Sequence, residues 1–184
     1  MASADEDFTA FADAASGRLL NTAYLLCGDW HTAEDLTQTT LAKVYAAWHR
    51  IGKPDAVFAY ARRTLLNTYF VDCRRTRRRE VLAAPADLPD RPDEPRTPEL
   101  RLALTDALAT LPPRARAIVV LRYWEDMSVE QVATQLDCST GTVKSQSSRS
   151  LDKLRLLLGA TLAEHGEDVG RTSEPYDPKK VTNG

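Results

Sequence analysis

The sequence predicts an all-α protein: two small helical domains joined by a flexible, Pro-rich acidic linker. Three observations carry this. Apolar residues recur at spacings of three and four through most of the chain, the period of a helix face. A break dense in proline and acid, with Pro85, Pro89, Pro92, Pro95 and Pro98 among Asp87, Asp90, Asp93 and Glu94, cannot build a core. Beyond it, Ser128 with Gln131 three residues on has the spacing of a capping box ahead of a short helix, a turn and a longer helix. The domains are expected at 1–80 and 98–158, with the linker at 81–97 and, at 159–184, a tail that is mostly disordered after one or two helical turns.

The first helix is expected over 5–27. Phe8, Phe11, Ala12, Ala15, Leu19, Leu20, Ala23, Tyr24 and Leu26 give its apolar spacing, and Gly28 suits its C-terminal cap. Thr32 with Asp35 opens the second, which runs to Trp48. Its face of Ala33, Leu36, Thr40, Val44 and Ala47 turns inward, leaving Glu34, Asp35, Gln38 and Lys43 in water. Gly52 and Pro54 interrupt the pattern with a loop.

A third helix is expected from Asp55 to Arg79. Phe58, Tyr60, Tyr69 and Phe70 lie along it, with Phe58 and Phe70 assigned to the core. Arg74, Arg75, Arg77, Arg78 and Arg79 crowd its end. So many like charges repel one another without an anionic partner, and cations mixed with rings suit single-stranded or opening DNA.

After the break, Pro98 starts a helix that continues through Leu108 to Leu111. Val129, Val132, Ala133 and Leu136 then share one face of a short helix. Asp137-Cys138-Ser139 is the turn, and Ser139 or Thr140 caps the last helix. Its first turns carry Thr142, Lys144, Ser145, Gln146, Ser148 and Arg149. Lys144, Ser145, Ser148 and Arg149 share a face, and such groups on a helix suit the major groove; this is the helix-turn-helix plan. Gly141 would let another backbone come close.

The 184 residues carry a formal charge of −2 and are 43% hydrophobic. DNA contact must therefore use local basic patches, with acid segregated elsewhere. Cys27, Cys73 and Cys138 follow no ligand spacing and read as reduced thiols. No metal or other cofactor is implied. His31, His49 and His165 are isolated, and no catalytic constellation is visible, so an enzyme is not expected. No apolar run is long enough to span a bilayer, and the acidic start is not a signal peptide, so a cytoplasmic location is expected and no membrane partner.

Leu111-Pro112-Pro113, Ala117 to Arg122, Met127-Ser128 and Gly141-Thr142-Val143-Lys144-Ser145 resemble region 4 of the extracytoplasmic-function sigma factors. These are small members of the bacterial sigma-70 superfamily, and the run Trp124 to Ser128 looks closest to actinobacterial, sigma-E-like members. The resemblance implies that the last helix reads the −35 promoter element. Gln146 departs from it, standing where the family usually has Arg.

Ala33 to Leu41 resembles region 2.2, which implies docking on core RNA polymerase through Glu34, Asp35, Leu36, Gln38 and Thr39. Tyr60-Ala61-Arg62-Arg63 and Leu66-Asn67-Thr68 resemble regions 2.3 and 2.4. The implied −10 contacts are Lys53, Asp55, Tyr60, Arg63, Asn67, Arg74, Arg75, Arg77 and Arg78, with the loop at 50–55 holding a flipped base. Core polymerase and promoter DNA are the implied partners, and an anti-sigma factor is allowed. A stand-alone helix-turn-helix regulator is the alternative. The chain shows neither dimerisation heptads nor a ligand-sensing domain for that role.

Overall fold

A computed structural model describes residues 4–51, 54–82 and 99–169, all of them helices and short connections, with no strand among the described residues. Helix α1 spans Ala4–Cys27, with Asp5, Glu6 and Asp7 favourably placed in its first turn. Gly28 ends it at φ 76°, its N–H donating to the Tyr24 carbonyl at 2.7 Å.

Helix α2, Trp30–Ala47, begins two residues before the expected Thr32. The cap is Asp29, in extended conformation, whose carboxylate accepts from the Thr32 N–H at 2.7 Å. A 3₁₀ turn, Trp48–Arg50, follows. Helix α3 spans Pro54–Leu82, with proline at its first position, where no backbone N–H is needed. It thus takes up the first residues of the expected linker; 83–98 lie outside the described residues.

Helix α4, Glu99–Ala109, ends two residues short of the expected Leu111. Helix α5, Pro113–Val119, widens into a π turn at Val120–Trp124. The Glu125 N–H then reaches back to the Val120 carbonyl at 3.1 Å. Helix α6 is Val129–Leu136 and helix α7 Thr140–Val169. The helix runs on through Val169, about one turn beyond the one or two turns expected after Leu158, and 170–184 lie outside the described residues.

Helices α1, α2 and α3 form one bundle, and α4, α5 and α6 pack against α7 in a second. The threonines of the first core meet their own helices: Thr37 and Thr40 donate to the carbonyls four residues back, each at 2.7 Å. The two bundles are not held apart. Helix α1 packs on α4, α5 and the π turn, α3 packs on α5, and one buried apolar cluster runs from Ala15 to Leu154 through both. Burying helix faces against each other removes apolar surface from water at about 25 cal/mol per Å², and this chain continues that burial across the seam.

Candidate nucleic-acid interface

Local chemistry shapes the helix-turn-helix. The Ser128 hydroxyl accepts from the Gln131 N–H at 3.1 Å, and the Gln131 side chain accepts from the Ser128 N–H at 2.7 Å, so the capping box closes. Asp137 ends α6 in the left-handed region at φ 49°, a conformation Asp tolerates better than most residues. Arg114 reaches from α5 to the carbonyls of Leu136, at 2.6 Å, and Asp137, at 3.3 Å. Ser139, not Thr140, caps α7, accepting from the Thr142 N–H at 3.1 Å. A Cβ on Gly141 would meet only Ser139 Oγ, at 3.7 Å, so no neighbouring helix backbone comes near it.

On α7, Val143, Ser147 and Ser150 are buried, which turns Lys144, Ser145, Ser148 and Arg149 outward together. Gln146 is half-buried beside that face. Thr142 is also half-buried, its hydroxyl 2.9 Å from that of Ser139, while the Ser145 hydroxyl donates to the Thr142 carbonyl at 3.1 Å. The structure therefore leaves Lys144, Ser148 and Arg149 as the outward polar groups not spent on local bonds.

The basic helix α3 carries two stripes. Arg63, Asn67, Arg74 and Arg77 follow one another at spacings of four, seven and three, and line a cleft of about 760 Å³ with Leu66, Phe70 and Cys73. Pro112, Pro113, Arg114, Gln135, Leu136 and Asp137 form the opposite wall. Arg75 points elsewhere, into a groove with Asp35, Leu36, Thr39 and Lys43. Arg78 and Tyr60 are exposed on the same helix. Phe58 and Phe70 are both half-buried and packed against the core as expected, and Phe58 also lies under two guanidiniums, Arg18 at 4.6 Å and Arg62 at 5.3 Å. Lys53 lies outside the described residues. Asp55 is in the first turn of α3, where only its backbone is described.

At the start of α2, Asp35, Gln38 and Thr39 are exposed and Glu34 half-buried. Leu36 is only 4% exposed and belongs to the bundle core, reaching the surface only at the floor of the groove it shares with Arg75. Its spacing with Ala33, Thr40 and Val44 already signals that.

Sequence reasoning left one cluster out. The Glu125 side chain is 1% exposed, yet it sits 2.7 Å from Arg18 and 3.5 Å from Arg62. Thr22 Oγ1 is 2.5 Å from its other oxygen. That hydroxyl has one proton and also lies 2.9 Å from the Arg18 carbonyl; the charged acceptor is the stronger draw. Burial pushes the Arg62 guanidinium below its usual range, against the opposing pull of Glu125.

Two sigma-70 models match this chain: region 2 over residues 11–79 and region 4 over 101–154. The RNA polymerase sigma-E factor of Streptomyces coelicolor is 38% identical over 155 residues, covering 81% of this chain and 84% of that one. The chain belongs to the sigma-70 family of RNA polymerase sigma factors. This sigma factor is also 41% identical to the sigma-E factor of Streptomyces antibioticus, over 74% of its own length and 76% of the relative's. Among solved structures it is similar to the sigma factor RpoE of Bartonella quintana, crystallised with the anti-sigma factor NepR. The TM-score is 0.67 at 27% identity, covering 83% of this sigma factor and 97% of that one. The family is regulatory, acting in promoter-specific initiation. No described helix of this member is long and apolar enough to cross a membrane.

Proposed function

We propose that this sigma factor reads the −35 element with the outward face of α7: Lys144, Ser145, Ser148 and Arg149, flanked by Thr142 and Gln146. The −10 element meets α3 through Tyr60, Arg63, Asn67, Arg74 and Arg77, with Arg78 at the margin. The exposed start of α2, with Glu34, Asp35, Gln38 and Thr39, docks on core RNA polymerase, and Arg75 stands with that groove. Residues 1–80 and 98–158 are the two working domains, and 81–97 the tether between them. The chain does no catalysis of its own; it works where the polymerase and the chromosome are, in the cytoplasm. An anti-sigma factor is a further expected partner, by likeness to the Bartonella quintana protein.

The observation that carries this reading is the separation of polar faces. One stripe of α3 and one face of α7 present cations outward, while Val57, Ala61, Leu65 and Tyr69 of α3 and Val143, Ser147, Ser150 and Leu154 of α7 are buried. Cations on a helix narrow enough for the major groove supply both phosphate affinity and base readout.

Run-off transcription with core polymerase, with and without this chain, tests it. Promoter-specific transcripts should require the chain. Arg149→Ala should relax preference at one −35 base pair, a bidentate contact being worth about 1–3 kcal/mol of discrimination. A palindromic footprint from the chain alone, with half-sites about one helical turn apart, would instead indicate a dimeric operator binder.

A further inference from the structure

Glu125 follows the π turn in the second bundle, but the groups that hold its carboxylate come from the first. Arg18 and Thr22 are on α1 and Arg62 is on α3. From the first bundle's side this is a built anion site. Two guanidiniums converge over the Phe58 ring, at 4.6 and 5.3 Å from its centroid, with a hydroxyl beside them. The Arg62 side chain is 14% exposed, and its Nε is buried without a hydrogen-bond partner. Paired cations held this close need an anion whenever they are together.

We propose that Arg18, Arg62 and Thr22 form a seat for a backbone phosphate of single-stranded DNA, and that Glu125 occupies it in the closed chain as an internal competitor. The proposal rests on the promoter reading above and adds a site and its control.

Three observations support it. The seat adjoins the −10 stripe, since Arg62 is next to Arg63, and it combines cations with an aromatic ring, the pairing that single strands favour. The closed arrangement also narrows the approach to that stripe, because Arg63, Asn67, Arg74 and Arg77, though exposed, face Pro112, Pro113 and Arg114 across a cleft. Finally, the closed chain is too short for a promoter. Elements named −35 and −10 lie about 25 base pairs apart, or ~85 Å at ~3.4 Å per step. A compact body of this length, with a radius of gyration of ~15 Å, is only ~40 Å across. Opening is therefore obligatory, and it exposes the seat at the moment a strand is available. The Arg18 side chain is half exposed and only the Glu125 carboxylate is buried, so separation returns to the carboxylate the hydration that burial removed.

The test measures binding of a short fluorescent single-stranded oligonucleotide to the full chain by anisotropy, without polymerase. Glu125→Gln should tighten binding about tenfold and steepen the salt dependence by about 0.7 for each added phosphate contact. It should also raise the radius of gyration in solution scattering. Arg62→Gln added to Glu125→Gln should abolish the extra affinity while leaving the chain open. If affinity does not rise, or if it rises and survives the loss of Arg62, the seat is wrong. Glu125→Asp, which shortens the reach by one methylene, gives the same readout in a smaller measure should the amide variant not fold. Run-off transcription by the wild type is independent of this readout, so failure of the promoter reading and failure of the seat are separately visible.

Discussion

The Arg116 guanidinium donates to the Leu26 carbonyl at 2.6 Å, so a side chain of α5 closes the end of α1. The same group donates to the Ala109 carbonyl at 2.8 Å, at the end of α4. The last carbonyls of a helix have no partner within it, and a cation there also opposes the helix dipole favourably. Arg116→Met keeps most of the packing but leaves these acceptors unpaired. The Ala109 carbonyl is exposed and water can replace its partner, so the cost comes from the part-buried Leu26 carbonyl, and a loss of about 1–3 kcal/mol is expected in urea unfolding. A change below about 1 kcal/mol would show that water replaces the guanidinium.

Ser128 and Gln131 satisfy each other's backbone N–H groups at the start of α6, which is only eight residues long. Ser128→Ala should cost about 1 kcal/mol, read as a lower melting temperature. Ser128→Asp should retain most of the stability, because a carboxylate also caps and favours the helix N-terminus.

The arginines of α3 line two different grooves, which should separate two activities. Arg74→Ala with Arg77→Ala should reduce the salt slope of single-strand binding by about 1.4, at ~0.7 for each phosphate. Arg75→Ala should leave that slope nearly unchanged and instead alter association with core polymerase. Equal effects from both sets in a salt titration would show that the two stripes act as one surface.

Burial pushes the Cys27 thiol up from 9.0 to about 11, with Asp29 adding to the rise and its backbone hydrogen bond opposing it. A raised thiol pKa means that the folded state keeps its proton longer than the unfolded chain. The resulting stability is complete below pH ~9 and is lost as the pH rises to ~11. Two pKa units correspond to on the order of 2–3 kcal/mol. Urea unfolding across that window should show a flatter pH dependence for Cys27→Ala than for wild type. Parallel curves would place the thiol in contact with solvent.

The helices and the turn chemistry were legible because they are local. Ser128 and Gln131 are three residues apart, and the apolar faces of α1, α2 and α6 repeat within single helices. The outward polar face of α7 was legible for the same reason, since buried Val143 sets which way Lys144 and Arg149 turn. Two errors came from competing local signals. Asp29 caps α2 ahead of Thr32, and Leu36, grouped with its acidic neighbours as a docking residue, follows the apolar period into the core. Glu125 was invisible for a different reason. Its partners Arg18 and Arg62 lie 107 and 63 residues away, and no spacing rule links them. In the sequence it reads as one acid among others before Asp126.

The order of the helices along the chain has a consequence for synthesis. The first bundle is complete in sequence at Leu82, whereas α4, α5 and α6 all pack on α7, whose core anchor Leu154 comes near the end. At ~5–20 residues per second, roughly 4–14 s separate the emergence of the two. Through that interval the nascent first bundle stands with its arginine pair uncovered, beside a ribosome made largely of RNA. On the seat proposed above, a newborn chain would be most adhesive to nucleic acid before α7 emerges, and the closing of the second bundle, which brings Glu125 into place, would end that period.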